Sequence, residues 1–358
     1  MTSRPAPTVS IAQLERRVSR IILALGGEPD IAAEVARHLV RAEASGHASH
    51  GVLRLPQYRA EVARGVIVPA ARPKIVHDGG ATAVVDAHHG FGHYSTAFAT
   101  ALLADRATEH GIAAVAVRRT THIGRLGEYS ERLNARGLLS IITVGAAGPG
   151  IGSMAPFRTK SGPHLNSNPF ALAFPAARHD FVFDGSMSNI AEGKVHAARD
   201  RGVSLPEGAI LDAEGKPSTH PGDFYDGGTL TPLGGDLAGH KGYGLALAAA
   251  LLGGLAHADG SSPDVTGIAA TAAARPDAPR IGGTTLLAVD PRSFGSRAES
   301  YSKTVGQVLD AFRDSGAMVP GDFEADRRGD GEHLTLESRT EQTLARLEAD
   351  LGDLLDHS

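Results

Sequence analysis

Apolar residues recur at helical spacing near both ends of the chain. Ile11, Leu14, Val18, Ile21 and Leu25 share one face, with Ser10 placed to cap a helix and Gly26-Gly27 placed to end it. Asp30 opens a second helix whose buried side carries Ile31, Val35, Leu39 and Ala42, with His47 and His50 near its C-terminal end. In the tail, "EQTLARLEADLGDLLDHS", Leu344, Leu347, Leu351 and Leu354 form a stripe that needs a partner, either the first helices or another subunit.

Between these ends the period changes. "KIVHDGG" and "ATAVVDAHHGFG" read as short strands, followed by an alanine-rich helix from about Ser95 to His110 and the strand "IAAVAVRRT". "HIGRLGEYSERLNARGLLSIITVGAAGPG" reads as turn, helix, stop at Gly137, buried strand and glycine-rich loop, a β-α-β order. "PFALAFPA" and "DFVFDGSMS" continue as strands, and "TTLLAVDP" adds one beyond the low-complexity "AATAAARPDAPR". Gly202 to Gly239 holds many Gly, Pro and Asp residues with little periodicity, which predicts an irregular surface excursion. The longest apolar run, Gly242 to Ala258, is short for a bilayer span and rich in Ala and Gly; it reads as a helix packed closely on a neighbour.

Composition narrows the classes. The 358 residues suffice for about two domains, and 42% hydrophobic with 21% charged residues is ordinary for a globular chain. A formal charge of -5 without basic blocks argues against nucleic acid, and "MTSRPAPTVS" has no apolar core of a secretory signal, so a cytoplasmic protein is expected. The absence of cysteine excludes disulfides, thiolate metal sites and thiol nucleophiles.

Familiar catalytic and nucleotide signatures are missing. No G-x-G-x-x-G, Walker, H-E-x-x-H or G-x-S-x-G string occurs, although glycine-rich turns with nearby lysines remain able to hold a pyrophosphate. Seventeen histidines admit a metal-dependent hydrolase or lyase as a competing class. The densest chemistry lies in "EASGHASHGVLRLPQY", Glu43 to Tyr58. If the helix continues there, His50, Arg54 and Tyr58 stand at i, i+4 and i+8 on one face, an imidazole beside a fixed cation.

That stretch resembles the S-H-G-x-x-R-x-x-x-Y of the type 2 malate/L-lactate dehydrogenase family, and four further motifs follow in order. They are "VVDAHHGFGH", "THIGRLGEYSERLNARGL", "FDGSMSNIAEGKV" and "PLGGDLAGHKGYGLAL", so the likeness runs from about residue 10 to 325. It implies an α+β, non-Rossmann fold: a helical part from both termini (1–60 and 325–358), a substrate-side domain (61–122 and 291–324) and an inserted NAD(P)-binding domain (123–290) with a mostly antiparallel sheet. It also implies a homodimer, NAD or NADP as cofactor, and a small carboxylate as substrate.

Reduction of a 2-oxo acid needs a hydride, a proton for the developing alkoxide and a cation for the carboxylate. The resemblance places His50 and His122 as the acid/base pair, with His50 ranked slightly ahead. Arg54 becomes the carboxylate clamp, Tyr58 an orienting hydroxyl and Asp184 a carboxylate that could tune an imidazole or merely cap a strand end. Asn168, Pro169, Ser186, Ser188, Lys241 and Gly242 fall at the cofactor. The same groups would serve a cyclic 2-imino acid reductase. Departures cluster on the cofactor side: "NSNP" for G-T-N-P, "DGSMS" for D-M-A-T-S, and Arg158 and Lys160 where glycines are expected. These two bases suit a 2'-phosphate and hence NADP; alternatively, the groove has degenerated and the chain binds small acids without turnover.

Overall fold

The computed structural model describes residues 8–159, 162–263, 278–295, 297–329 and 331–355. In chain order its elements are β1 (Thr8–Ser10), α1 (Ile11–Ala24), α2 (Pro29–Ala44), α3 (Leu55–Ala63), β2 (Lys74–Asp78), β3 (Thr82–Asp86), α4 (Gly92–His110), β4 (Ile112–Arg118), α5 (Leu126–Asn134), β5 (Leu139–Ala147), β6 (Phe170–Phe174) and β7 (Phe181–Gly185). There follow α6 (Glu192–Arg201), β8 (Ile210–Leu211), β9 (Pro217–Ser218), α7 (Pro221–Tyr225), β10 (Thr229–Leu230), α8 (Gly235–Gly253), β11 (Ile281–Val289), α9 (Ala298–Asp314), α10 (Asp322–Arg328), β12 (His333–Thr335) and α11 (Ser338–Leu355). Most of the low-complexity stretch before β11 lies outside the described residues.

The two termini build one layer. The Ser10 side chain accepts from the Gln13 N–H and starts α1, while β1 pairs antiparallel with β12 and ties the chain ends together. Leu14, Val18, Ile21 and Ile22 of α1 pack with Ile31, Val35 and Leu39 of α2 and with Leu344, Leu347 and Leu351 of α11. The C-terminal stripe therefore finds its partner within the chain. Its last predicted member is corrected: Leu354 is exposed, and Leu355 is buried instead, because α11 kinks at Gly352 (φ +30°).

The main sheet has seven strands in the order β2-β3-β4-β11-β5-β6-β7. Only β3 and β4, joined through α4, pair in parallel; the other neighbours are antiparallel. The β-α-β order read around α5 gains an insertion, since β11 lies between β4 and β5 and pairs with both. A pattern in one stretch cannot show a strand arriving from well over a hundred residues away. The boundary expected at residue 122 falls inside this sheet, with β2 to β4 on one side and β5, β6, β7 and β11 on the other.

α8 lies against the sheet at backbone contact. A Cβ on Gly145 would stand 2.4 Å from the Ala250 nitrogen, and one on Gly253 2.6 Å from the Gly283 nitrogen. The small residues of α8 permit this approach, and Ala246, Ala249 and Ala250 are buried. The opposite face is open, with Leu237, Leu245 and Leu251 exposed, so the helix is packed closely on one side only. The stretch 202–239 is also more ordered than its composition predicts. It forms a three-stranded sheet, β10-β8-β9, and buries Leu205, Ala209, Ile210 and Leu230 against Ala246 and Ala250.

Candidate active site

α2 ends at Ala44, and the chain does not continue as one helix. Short 3-10 turns at Ala48–His50 and Val52–Arg54 flank Gly51, whose φ −98°, ψ −146° is not helical. The helix stops before Gly46, whose φ is +82°, and Glu43 holds the turn that follows. A Cβ at Gly51 would lie 2.3 Å from Glu43 Oε2, the same oxygen accepts the Val52 N–H at 3.2 Å, and Oε1 accepts the Thr340 hydroxyl at 3.0 Å. Burial raises the Glu43 pKa. The expected i, i+4, i+8 helical face is thus corrected: His50, Arg54 and Tyr58 sit on two turns and a helix start, hung from a buried carboxyl tied to α11.

These pieces converge with His122, which follows β4. The His50 and His122 rings stack 5.7 Å apart at 26°. Tyr58, buried, places its hydroxyl 2.7 Å from His122 Nδ1 and 3.3 Å from His93 Nε2. His50 Nδ1 lies 3.1 Å from Ser49 Oγ. Arg54 is held by its Nε donating to the Ser49 carbonyl at 2.5 Å and Nη1 donating to Gln57 Oε1 at 2.7 Å. Among the described residues it forms no ion pair with a carboxylate. His47 is engaged elsewhere, 2.8 Å from Glu324 on α10.

Charge and burial act together on the imidazoles. Burial, and then the Arg54 cation, push His50 down to about 3 and hold His122 well below its ordinary value. Burial raises Tyr58. At neutral pH the site is therefore one fixed guanidinium beside two neutral imidazoles.

The remaining predicted residues divide differently. Asp184, on β7, accepts the Gly127 N–H at 2.8 Å and so caps α5; that bond goes to the backbone rather than to His50 or His122. Burial raises its pKa. Asn168, fully buried at φ +40°, takes the Ala146 N–H on Oδ1 and donates to the Ala146 and Ala246 carbonyls, clamping β5 to α8. The Pro169 carbonyl accepts from Val144. Ser186 and Ser188 hydrogen-bond each other, and Ser188 Oγ donates to the Ile190 carbonyl at 2.8 Å. Lys241 is exposed inside α8 rather than ahead of it. The neighbouring Gly242 is buried, and a Cβ there would meet the Leu233 carbonyl at 2.3 Å. Arg158 stacks over Phe157, which in turn faces His240; Lys160 lies outside the described residues.

Three features escaped the sequence reading. Glu43 opens the quoted stretch but carries no signal of its tie to Thr340. His93 sits in "HHGFGH" among several histidines, with nothing local to single it out. Lys194 ends the quoted "AEGK" and was available in the sequence. It stands in the first turn of α6, where a Cβ on Gly193 would lie 3.2 Å from the Ser49 Cβ, so this helix start adjoins the His50 turn. Among the described residues no three His, Asp or Glu side chains form a metal-ligand cluster, and no helix is long and apolar enough to cross a membrane.

Comparison with known proteins follows the same lines. The sequence profile described as malate/L-lactate dehydrogenase matches residues 9–345. The chain is 35% identical over 338 residues to the (2R)-3-sulfolactate dehydrogenase (NADP(+)) of Chromohalobacter salexigens, covering 93% of each. It is 33% identical over 320 residues to hydroxycarboxylate dehydrogenase B of Escherichia coli O157:H7, covering 87% of this chain and 84% of that one. Among solved structures, the delta1-piperideine-2-carboxylate reductase of Pseudomonas syringae superposes with a TM-score of 0.81 at 28% identity, covering 95% of this chain and 99% of that one.

Proposed function

Because the chain belongs to the malate/L-lactate dehydrogenase family, we propose that it is a nicotinamide-dependent oxidoreductase interconverting a small 2-oxo acid and its 2-hydroxy acid. The observation that carries this reading is Arg54, a fixed guanidinium without a carboxylate partner among the described residues, beside the stacked His50 and His122.

Arg54 binds the substrate carboxylate through charge-assisted hydrogen bonds and so orients C2 toward the imidazoles. The arriving anion also offsets the Arg54 cation, which adds to burial in keeping both imidazoles neutral, and so raises their pKa and favours protonation where the acid is required. We assign the transferred proton to His122, whose Nδ1 is held by buried Tyr58, leaving Nε2 for the substrate oxygen. His50, stacked on the same ring, shares the site.

The cofactor supplies or accepts the hydride. Its phosphates fit the start of α6, which has no side-chain cap and carries Lys194, together with Ser186, Ser188 and Lys241. The exposed Arg158 beside Phe157 and His240 favours NADP over NAD. A homodimer is proposed to cover the exposed leucines of α8, and the cytoplasm is the proposed location.

A second reading, reduction of a cyclic 2-imino acid, is favoured by the structural likeness to the Pseudomonas syringae reductase. The test is absorbance of the reduced-nicotinamide band with NADH, then NADPH, against a panel of 2-oxo acids and cyclic 2-imino acids. Oxidation by one class assigns both substrate type and cofactor. Substrate binding without nicotinamide binding or turnover overturns the proposal in favour of a small-acid binder.

A further inference from the structure

Tyr58 has one hydroxyl proton and two imidazole nitrogens beside it, His122 Nδ1 at 2.7 Å and His93 Nε2 at 3.3 Å. It can donate to only one of them and must accept from the other. Resting on the assignment of His122 to the substrate, we propose that His93 is a positioning residue. It accepts the Tyr58 proton, Tyr58 in turn accepts from His122 Nδ1–H, and His122 Nε2 is thereby left to exchange the substrate's proton.

The chemistry fixes the direction of this chain. An imidazole that exchanges protons at Nε2 keeps its Nδ1 proton in both states, because the imidazolium carries both. The Tyr58 oxygen must then accept at His122, and its own proton has nowhere to go but His93 Nε2. His93 must in turn be neutral, with its hydrogen on Nδ1.

The surroundings meet that requirement. His93 lies in the first turn of α4 and is fully buried. Its charged groups nearby are cationic or ionisable to cations: His38 from α2, His50 and Arg54 from the turns before α3, His122 after β4, and Arg132 from α5. Burial, reinforced by His50, Arg132 and Arg54, pushes it down to about 3. Behind it, His38 sits edge-on at 4.8 Å and is itself fixed by the Arg125 N–H on Nε2 at 3.0 Å. None of Tyr58, His93 and His38 hydrogen-bonds a carboxylate among the described residues, so a phenol and a neutral imidazole take the place a carboxylate often has behind a catalytic histidine. His93 Nδ1 is buried and has no hydrogen-bond partner among the described residues. A side chain kept there only for packing would do better as a hydrocarbon.

The test is nitrogen NMR of the full-length protein labelled with 15N-histidine, as wild type, His93→Leu and His93→Gln. The wild type is expected to show His122 protonated on Nδ1. His93→Leu should shift it toward the Nε2-protonated tautomer, as Tyr58 turns to donate to the freed Nδ1. Glutamine, whose Oε1 can accept the same bond, should restore the wild-type pattern. In kinetics, His93→Leu should lower kcat about tenfold and move the pH profile, with cofactor affinity unchanged and His93→Gln within about twofold of wild type. A wild-type His122 protonated on Nε2, or a folded His93→Leu with an unchanged His122 tautomer, overturns the inference. The wild-type spectrum decides it even where the leucine variant does not fold. The expected tautomers in a protein that oxidises no reduced nicotinamide would retain the hydrogen-bond chain and remove the reductase reading.

Discussion

The two sides of the candidate active site are built by opposite means. On the substrate side, Arg54, His50, His122 and Tyr58 bring polar side-chain atoms together at measured distances, and a cation remains without a carboxylate partner among the described residues. On the proposed cofactor side, Asn168 directs its side chain to backbone groups, and Lys194 and Lys241 stand exposed. A small acid offers one carboxylate and one reacting carbon, so it must be read by a few fixed charges. A dinucleotide can be held over a long surface by helix N–H groups and mobile lysines, so no single residue there needs an unusual environment.

This contrast predicts unequal sensitivities. His122→Ala should lower kcat on the order of a hundred- to ten-thousandfold while leaving cofactor affinity unchanged, measured by steady-state kinetics beside a cofactor titration. Comparable loss from Lys241→Ala would break the contrast. Arg54→Ala should act next most strongly, raising the apparent substrate KM about ten- to more than a hundredfold, because a charge-assisted bidentate contact is worth about 1.5–3 kcal/mol.

Asn168→Ala should show itself in stability, with a loss of about 1–3 kcal/mol in denaturant unfolding as buried backbone groups of β5 and α8 lose their partners. A weakened cofactor titration in a variant of unchanged stability would reassign Asn168 to the cofactor. The smallest effects belong to Lys194→Ala and Lys241→Ala, each expected to weaken cofactor binding by no more than about tenfold, with less effect at high salt.

The buried histidines also give the fold a pH dependence. His38 and His93 titrate lower in the folded chain than in the unfolded one, His93 at about 3. Between that pH and the ordinary value near 6.5, the unfolded chain binds more protons. Their contribution is complete above about pH 6.5 and is lost as pH falls, for His93 down to about 3, at up to about 1.4 kcal/mol per pH unit for each ring. Thermal unfolding from pH 7 to 5 should show the decline, and His93→Gln should flatten it. An unchanged slope in that variant would place the titrating group elsewhere.

Local periodicity made the terminal helices and most strands legible, since burial of α1, α2 and α11 follows their apolar stripes. It could not reveal that β11 parts β4 from β5, or that α8 presents leucines outward, because both depend on which distant surface arrives. The order of motifs pointed to the stretch that brings His50, Arg54 and Tyr58 together with His122, but the helical face expected there does not form. The helix ends at Ala44 before the left-handed Gly46, Glu43 then holds the Gly51 turn, and the buried partner of Glu43 lies in α11, almost three hundred residues away. The same holds for His93, one histidine among seventeen until Tyr58 stands between it and His122. On the cofactor side, "AEGK" contained a lysine that spacing alone does not distinguish from a solvated one.

The most direct test of the carboxylate clamp compares wild type with Arg54→Ala on a reactive 2-oxo acid and on the ester of that acid. Wild type should favour the acid in kcat/KM, and the variant should lose about ten- to more than a hundredfold on the acid with little change on the ester. Equal losses on both substrates, or unchanged kinetics on the acid, would contradict a substrate carboxylate bound at Arg54.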